Sequence, residues 1–223
     1  MRIVKGKKVI DGDIDLRALI SGYKSVVVDI GTGDGRFVYK MARQQPEVFF
    51  IGVDSAANNM MEYSSKALKK PGKGGLANIL YVAASAENLP PQMQGIAGKI
   101  FIILPWGSLL EGIVKGERDI LSSIRSIAAP EASLEMFFTY SHLIESGEMD
   151  RRDLPELSLD YIENTLASSF MEFGIRILDK EIISNEGLRE YETQWAKRLG
   201  FGRSRAVYHV TGVIISPQQF VSE

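Results

Sequence analysis

The chain has 223 residues, 45% of them hydrophobic, and a formal net charge of −2 at pH 7. This length fits one α/β domain with modest insertions, and no stretch approaches the roughly 18 apolar residues that a membrane span needs. There is no cysteine, which excludes disulfides, thiolate metal sites and cysteine nucleophiles. The two histidines, His142 and His209, are too few for a histidine-rich metal site. The first residues lack the apolar core of a secretory signal, so we expect a cytoplasmic protein. From the cysteine and histidine counts we expect it to hold no metal.

Hydrophobic runs and turn signals predict one domain over residues 1–223, built from alternating strands and helices. A hairpin at about 1–10, turning at Lys5-Gly6, and a short helix at 14–21 come first. Seven strands follow, predicted at 26–28, 48–53, 79–83, 100–104, 132–140, 174–182 and 206–215. Helices are predicted at 36–45, 56–69, 117–128, 158–172 and 187–199. This order favours a mostly parallel sheet covered on both faces, with an antiparallel last strand. Two long connections, the polar and irregular 141–157 and residues 184–204, should determine substrate specificity.

The first strand leads into a glycine-rich turn with the pattern D-x-G-x-G-x-G, formed by Asp29, Gly31, Gly33 and Gly35. A dinucleotide site would need its third glycine where this chain has Arg36. A carboxylate beside such a loop would repel a pyrophosphate but suits a ligand with an ammonium group. The pattern therefore resembles the S-adenosylmethionine loop of class I methyltransferases, a Rossmann-like fold. The alternative is a glycine-rich turn that binds nothing.

The second strand ends at Asp54, 23 residues after Gly31. An acid at this position is placed to hold both ribose hydroxyls of a nucleoside cofactor. Asp54 could instead cap the helix that is predicted to follow it. With the glycine loop present, the sequence favours the ribose role.

Two further strand ends should reach the same edge of the sheet. Residues 84–90 follow the third strand, and the small side chains around Ala86 and Glu87 leave room for an adenine ring. Leu104-Pro105-Trp106 follows the fourth strand and predicts a fixed aromatic plate beside the reactive end of the cofactor. Because Leu104 accepts no hydrogen bond, methylation of an exocyclic amine is disfavoured.

Positive charge is concentrated in three segments, 1–10, 63–86 and 196–222, which hold 12 of the 26 Lys and Arg residues and no acid. The rest of the chain has 14 bases against all 28 acids. If the three segments meet on one face, they form the electrostatic footprint of a polyanion site. The second tryptophan, Trp195, lies just before the last segment. Trp106 and Trp195 could sandwich a base flipped from its stack, or both could be ordinary core residues.

Taken together, these motifs resemble a known family over nearly the whole chain: the 16S ribosomal RNA adenine-N1 methyltransferases of kanamycin–apramycin resistance. The matching stretches are the hairpin start, Asp-Ile-Gly-Thr-Gly-Asp-Gly-Arg, Lys-Lys-Pro-Gly-Lys-Gly-Gly-Leu, Ala-Glu-Asn-Leu-Pro, Pro-Trp-Gly-Ser-Leu-Leu and Trp-Ala-Lys-Arg-Leu-Gly-Phe-Gly-Arg-Ser-Arg. The chain departs from some members at Leu104, where they have phenylalanine, and the 141–157 segment matches loosely.

The resemblance implies an enzyme that uses S-adenosylmethionine to methylate the decoding-site adenine of 16S rRNA within the small ribosomal subunit, and we expect this enzyme to be a monomer. It implies that the tryptophans matching Trp106 and Trp195 stack on the flipped adenine. The implied cofactor-binding set is Asp29, Gly31, Thr32, Gly33, Asp34, Gly35, Asp54, Ser55, Ala86, Glu87, Leu104 and Thr193. The implied RNA-binding set is Lys66, Lys69, Lys70, Glu145, Arg152, Arg198, Arg203 and Arg205, with Arg205 helping to secure the flipped nucleotide.

Two alternatives remain open at this stage. One is a class I methyltransferase that acts on another RNA, a protein or a small molecule. The other is an RNA-binding module that kept the fold and lost the cofactor.

Overall fold

The structure is a computed structural model that describes residues 1–184, 188, 191 and 205–215, without the side chains of residues 142–144. Its centre is a nine-stranded sheet with the order β2-β1-β5-β4-β3-β6-β7-β9-β8. The strands are β1 Arg2–Lys5, β2 Lys8–Asp11, β3 Ser25–Ile30, β4 Val48–Asp54, β5 Ile79–Ala83, β6 Ala97–Ile103, β7 Ala128–Phe138, β8 Ile175–Ser184 and β9 Ala206–Ile214. The helices are α1 Leu16–Ile20, α2 Arg36–Gln44, α3 Ala57–Ala67, α4 Gly107–Lys115, α5 Arg118–Ile127, α6 His142–Arg152, α7 Leu159–Tyr161 and α8 Ala167–Met171.

The five central strands, β3 to β7, run parallel, as the alternation of strands and helices predicts. Strand β9 pairs antiparallel with both β7 and β8, which confirms the antiparallel last strand. The predicted hairpin forms and joins the same sheet, because β1 pairs antiparallel with β5 through Ile3 and Val82. The seven predicted strands and the hairpin therefore make one continuous sheet.

Side chains that alternate along each strand build two separate cores. Val26, Val28 and Ile30 of β3 face one core, which α4 and α5 cover. Val27 faces the other, which α2 and α3 cover. Burial on both faces explains why β4 and β5 are continuous apolar runs, whereas β7, which pairs with the antiparallel strand β9, alternates polar residues such as Glu131 and Glu135 with buried apolar ones.

Three local predictions need correction. Segment 141–157 is not irregular, because His142–Arg152 forms α6, interrupted at Glu145 by non-helical backbone angles (φ −119°, ψ 30°). The helix predicted at 158–172 contains a π-helical turn, Ile162–Leu166, between α7 and α8. Helix α4 is absent from the sequence-based prediction. The helix predicted at 187–199 lies outside the described residues.

The sheet ends differently at its two edges. The edge strand β2 has only four residues, three of them exposed. The opposite edge strand, β8, has ten residues and a bulge between Ile177 and Asp179, which leaves Leu178 62% exposed. None of the helices in the described ranges is long and apolar enough to cross a membrane.

Candidate active site

A pocket of about 590 Å³ opens where the carboxyl ends of β3, β4, β5 and β6 meet. Parallel α/β sheets bind ligands at this edge, and the volume suits a molecule of cofactor size. It is lined by most of the residues predicted for the cofactor: Asp29, Gly31, Thr32, Gly33, Asp34, Asp54, Ser55, Ala86, Glu87 and Leu104, together with Trp106. The chain thus brings together in space what the sequence separates by up to 77 positions, from Asp29 to Trp106.

The glycine-rich loop has the backbone that its glycines predict. Gly31, Gly33 and Gly35 have φ of 77°, 61° and 76°, in the left-handed region that other residues rarely adopt. A Cβ on Gly33 would meet nothing within 4 Å, so the backbone there is open to the pocket. A Cβ on Gly31 would lie 2.7 Å from Cδ2 of Leu109. The loop therefore needs glycine for its conformation and for its approach to α4.

Gly35 lies outside the pocket lining and packs against Tyr81. Its Cβ would lie 2.3 Å from Cε1 of that ring, and the Tyr81 hydroxyl donates a hydrogen bond to the Gly35 carbonyl at 2.9 Å. Gly35 therefore fixes the loop against Tyr81 on the side away from the pocket, and its predicted contact with the cofactor stays a prediction.

Asp29 and Thr32 present buried polar atoms to the pocket. Oδ1 of Asp29 and Oγ1 of Thr32 are both buried, and neither has a hydrogen-bond partner among the described residues. Burial raises the pKa of Asp29 from 3.8 to about 7, against the lowering effect of the neighbouring Thr32 hydroxyl and with a smaller contribution from the charge of Asp54. Unsatisfied buried polar atoms are costly, so these two atoms indicate a polar or cationic ligand.

Asp54 holds the loop and keeps its side chain in the pocket. Its Oδ2 accepts a hydrogen bond from the Gly33 amide at 2.9 Å, and its Oδ1 accepts one from the Ala56 amide at 2.8 Å. Burial raises the pKa of this carboxyl above its usual value. The N-cap of α3 is Ala56, which has no side-chain capping bond, so Asp54 does not cap the helix in the ordinary way. Each carboxylate oxygen retains a further lone pair for a ligand hydroxyl.

Acidic side chains dominate the charge of the pocket. Five of them line it: Asp29, Asp34, Asp54, Glu62 and Glu87. Arg36 is the one base among the described lining residues, and it pairs with Asp34 at 3.4 Å. This balance favours a cationic ligand, as the acid before the glycine loop predicts.

Trp106 lies at the mouth of the pocket on a tightly turned chain. Leu104 has φ of 51°, which is rare for leucine, and its amide donates to the Phe137 carbonyl at 2.7 Å. Strained backbone of this kind costs roughly 1–3 kcal/mol and concentrates at functional sites. Trp106 itself is 46% exposed, so its interpretation as an ordinary core residue is wrong.

A shallow cleft next to Trp106 contains two of the residues predicted to contact RNA, Glu145 and Arg152. Arg152 donates to Glu111 at 2.8 Å and to Glu148 at 3.3 Å. Glu145 pairs with Arg205 at 2.9 Å, and both side chains are mostly buried.

Glu145 also accepts a hydrogen bond from the Ser141 amide at 3.0 Å. Its pair with Arg205 joins the start of α6 to the residue before β9. The structure therefore places Glu145 and Arg205 together at the carboxyl edge of the sheet.

The lysines of the basic segment 63–86 lie on α3 and just after it, beyond the pocket. Lys66 pairs with Glu62 of the pocket at 2.7 Å, and its ammonium lies 4.1 Å from the ring centroid of Tyr63. Lys69 and Lys70 follow α3 and are exposed.

Four of the predicted site residues lie outside the described residues, so the structure does not locate them: Thr193, Trp195, Arg198 and Arg203.

Sequence reasoning missed several lining residues, among them Ser108, Leu109 and Asn59. Ser108 and Leu109 belong to α4, the helix that the sequence did not reveal. Asn59 and Glu62 lie three residues apart on α3, about one and two turns after Asp54, and this helical spacing could have indicated that both face the pocket.

Within the described part of the chain, no group of three His, Cys, Asp or Glu side chains could hold a metal ion.

Comparisons with known proteins agree with this geometry. A family model described as "NpmA: 16S rRNA (adenine(1408)-N(1))-methyltransferase" matches residues 2–214. A 16S rRNA (adenine(1408)-N(1))-methyltransferase of Escherichia coli is 42% identical, over 95% of this chain and 98% of that protein. One from Streptoalloteichus tenebrarius is 36% identical, over 96% and 99% of the two chains.

Solved structures show the same relationship. The crystal structure of the 16S rRNA methyltransferase KamB has a TM-score of 0.87 and 35% identity, covering 97% of this chain and all of that one. A mutant enzyme from Catenulisporales acidiphilia, solved with its cosubstrate SAM, has a TM-score of 0.88 and 34% identity over 98% of each chain. With its sheet, glycine loop and aromatic rim in place, the chain belongs to the family of 16S rRNA (adenine(1408)-N(1))-methyltransferases.

Proposed function

We propose that this protein transfers a methyl group from S-adenosylmethionine to N1 of the decoding-site adenine of 16S rRNA and so confers resistance to aminoglycosides. The observation that carries the proposal is the exposed Trp106 at the mouth of an acidic pocket built on an acid-flanked glycine loop. The pocket suits the cofactor, and the exposed ring of Trp106 at its mouth suits a nucleobase.

The side chains of the pocket match the parts of S-adenosylmethionine, which when bound supplies an electrophilic methyl group on a sulfonium. Asp29, with its unpartnered Oδ1, is placed for the ammonium of the methionine portion. Asp54 is placed for the ribose hydroxyls. Ala86 and Glu87, after β5, flank the space for the adenine ring.

The chemistry needs no general base. Adenine N1 carries an unprotonated in-plane lone pair at neutral pH, so no proton has to leave before the methyl group arrives. Catalysis then rests on positioning the two reactants. The methylated ring is cationic, and the face of Trp106, joined by Trp195 in our proposal, stabilises that charge as it develops.

We further propose that the substrate is the RNA within the assembled small subunit and that the enzyme acts there as a metal-free, cytoplasmic monomer. Arg152, at the cleft beside Trp106, and Arg205, at the same edge of the sheet, support this context. In the proposal they contact the RNA backbone with Lys66, Lys69, Lys70, Arg198 and Arg203, and Glu145 holds Arg205.

Primer extension on small-subunit RNA, after incubation of subunits with the protein and cofactor, tests the proposal. We expect a stop at the decoding-site adenine that depends on the cofactor, persists in chelator and, at a cofactor concentration near the wild-type Kd, weakens when Asp54→Ala removes the ribose contact. The Asp54→Ala protein should bind S-adenosylmethionine more weakly by about 1–3 kcal/mol in calorimetry, the cost of a lost charge-assisted hydrogen bond. A stop at another nucleotide, or methylation of a small molecule but not of subunits, would replace this function with one of the alternatives.

A further inference from the structure

The turn of the amino-terminal hairpin lies against the end of α3 and brings two basic segments into contact. Ser64 is 3% exposed, and its hydroxyl donates to the Val4 carbonyl and accepts from the Gly6 amide, both at 2.8 Å. A Cβ on Gly6 would lie 3.4 Å from Cδ1 of Leu68, so the turn packs directly on the last turn of the helix. The hairpin and α3 are therefore packed together as one unit.

Exposed lysines cover this unit. The hairpin contributes three and the chain after α3 contributes three, and we call the set the lysine corner: Lys5, Lys7, Lys8, Lys69, Lys70 and Lys73. No acid occurs in residues 1–10 or 63–86. None of the six makes an ion pair with a described residue, unlike Lys66, which Glu62 neutralises.

The arrangement in the hairpin costs folding free energy. Lys5 and Lys8 are direct cross-strand partners, and Lys7 lies in the turn between them. Like charges opposite each other destabilise a pair of strands. The carboxyl end of α3, on which the hairpin turn packs, favours positive charge there, but a helix end is equivalent to only about half a negative charge and does not balance six lysines. A lysine on an edge strand also hinders pairing with other molecules, which accounts for Lys8 alone. An external polyanion would explain the whole set.

The corner lies away from the methyl-transfer pocket. Helix α3 lines the pocket with Asn59 and Glu62, and from Glu62 to Lys69 the chain advances about 10 Å along the helix axis. A ligand that contacts both places must be extended and charged along its length, as the phosphate backbone of a folded RNA is.

We propose that the lysine corner is an RNA-backbone contact of this enzyme, in which the hairpin lysines Lys5, Lys7 and Lys8 bind phosphates together with Lys69, Lys70 and Lys73. The proposal rests on the proposed function, since it assigns a second anchoring surface for the same RNA. It adds the hairpin to the RNA-binding set, whose other members all lie from position 66 onward.

The test compares Lys7→Glu/Lys8→Glu with a matched control, Lys24→Glu/Arg125→Glu, which changes the net charge equally. Lys24 precedes β3, and Arg125 lies in the last turn of α5, on the other face of the sheet from α3. Affinity for small subunits is measured against salt concentration, and methylation against subunit concentration.

We expect the hairpin variant to bind subunits about tenfold more weakly, with a slope of log affinity against log salt that is smaller by about two, one for each lost phosphate contact. KM for subunits should rise while kcat and cofactor affinity stay unchanged. The melting temperature should not fall, because the substitution of Lys8 places a negative charge directly opposite Lys5 and removes a repulsion between the strands. Weaker binding therefore cannot come from unfolding.

Equal affinity and equal salt slope in the hairpin variant and the control would overturn the proposal. If instead the wild-type protein methylates no subunits, the proposed function fails, and that result is separate because it does not depend on the hairpin.

Discussion

Replacing Trp106 by alanine separates its stacking role from a structural one. The side chain is 46% exposed, so about half of it is buried. Truncating a fully buried tryptophan costs about 3–5 kcal/mol, and half of that is about 2 kcal/mol. In a chain of this length, 1 kcal/mol lowers the melting temperature by about 2–4 °C, so we expect a fall of less than about 10 °C.

The catalytic loss should be larger than this stability loss explains. Stacking on a nucleobase contributes about 1–3 kcal/mol, which corresponds to about 5- to 150-fold in rate if it is lost in the transition state. We therefore expect Trp106→Ala to stay folded, to bind cofactor and subunits, and to methylate at least about fivefold more slowly. Trp106→Phe keeps an aromatic face and should retain part of the activity.

Leu19→Ala is the matched control for this experiment. Leu19 is 42% exposed, close to the exposure of Trp106, and it lies on α1 away from the pocket. Thermal melts and primer extension on both variants give the comparison. If Trp106→Ala methylates as fast as Leu19→Ala, or if it is unfolded at the assay temperature, the stacking argument is refuted.

Four further predictions concern the loop and the sheet behind it. Because burial raises the pKa of Asp29 to about 7, cofactor affinity in calorimetry should rise as the pH increases through about 7, and Asp29→Asn should abolish this dependence. The same raised pKa means that stability falls as the pH rises from about 4 to 7, a loss that thermal melts should not show in Asp29→Asn. Gly35→Ala would place its Cβ 2.3 Å from the Tyr81 ring at a φ of 76°, and it should lower the free energy of unfolding by about 2 kcal/mol or more in denaturant titrations. Tyr191→Phe removes a hydrogen bond of 2.7 Å to Glu135 just before the segment that carries Trp195, and it should slow methyl transfer more than it weakens cofactor binding in kinetic and calorimetric assays.

The sequence predicts those parts of the fold in which neighbouring residues alone determine the backbone conformation. The strand Ile79–Ala83 is predicted to the residue, because a short apolar run between turn signals has few other solutions. The glycine loop is predictable because positive φ requires glycine at fixed spacing. Asp54 and Leu104 can be placed beside it because parallel strands end at the same edge.

What could not be predicted depends on distant pairing. Helix α6 is polar and broken at Glu145, so its apolar spacing is weak, and the pair of Glu145 with Arg205 joins residues 60 positions apart. Ser64 binds the backbone of Val4 across a similar separation. No pattern within a short stretch of sequence predicts such long-range contacts. These contacts nevertheless determine which charged segments lie next to each other in the fold.

The two edges of the sheet affect how the protein behaves at high concentration. A long regular edge strand offers a row of free amides and carbonyls to the edge of another molecule, and aggregation begins from such pairing. The bulge after Ile177 interrupts that row in β8, and β2 is only four residues long, with a charge at each end in Lys8 and Asp11. Neither edge therefore offers a long straight surface for a tenth strand. Deletion of Leu178, which would restore a regular β8, should make the protein self-associate through its sheet more readily than the unchanged chain does.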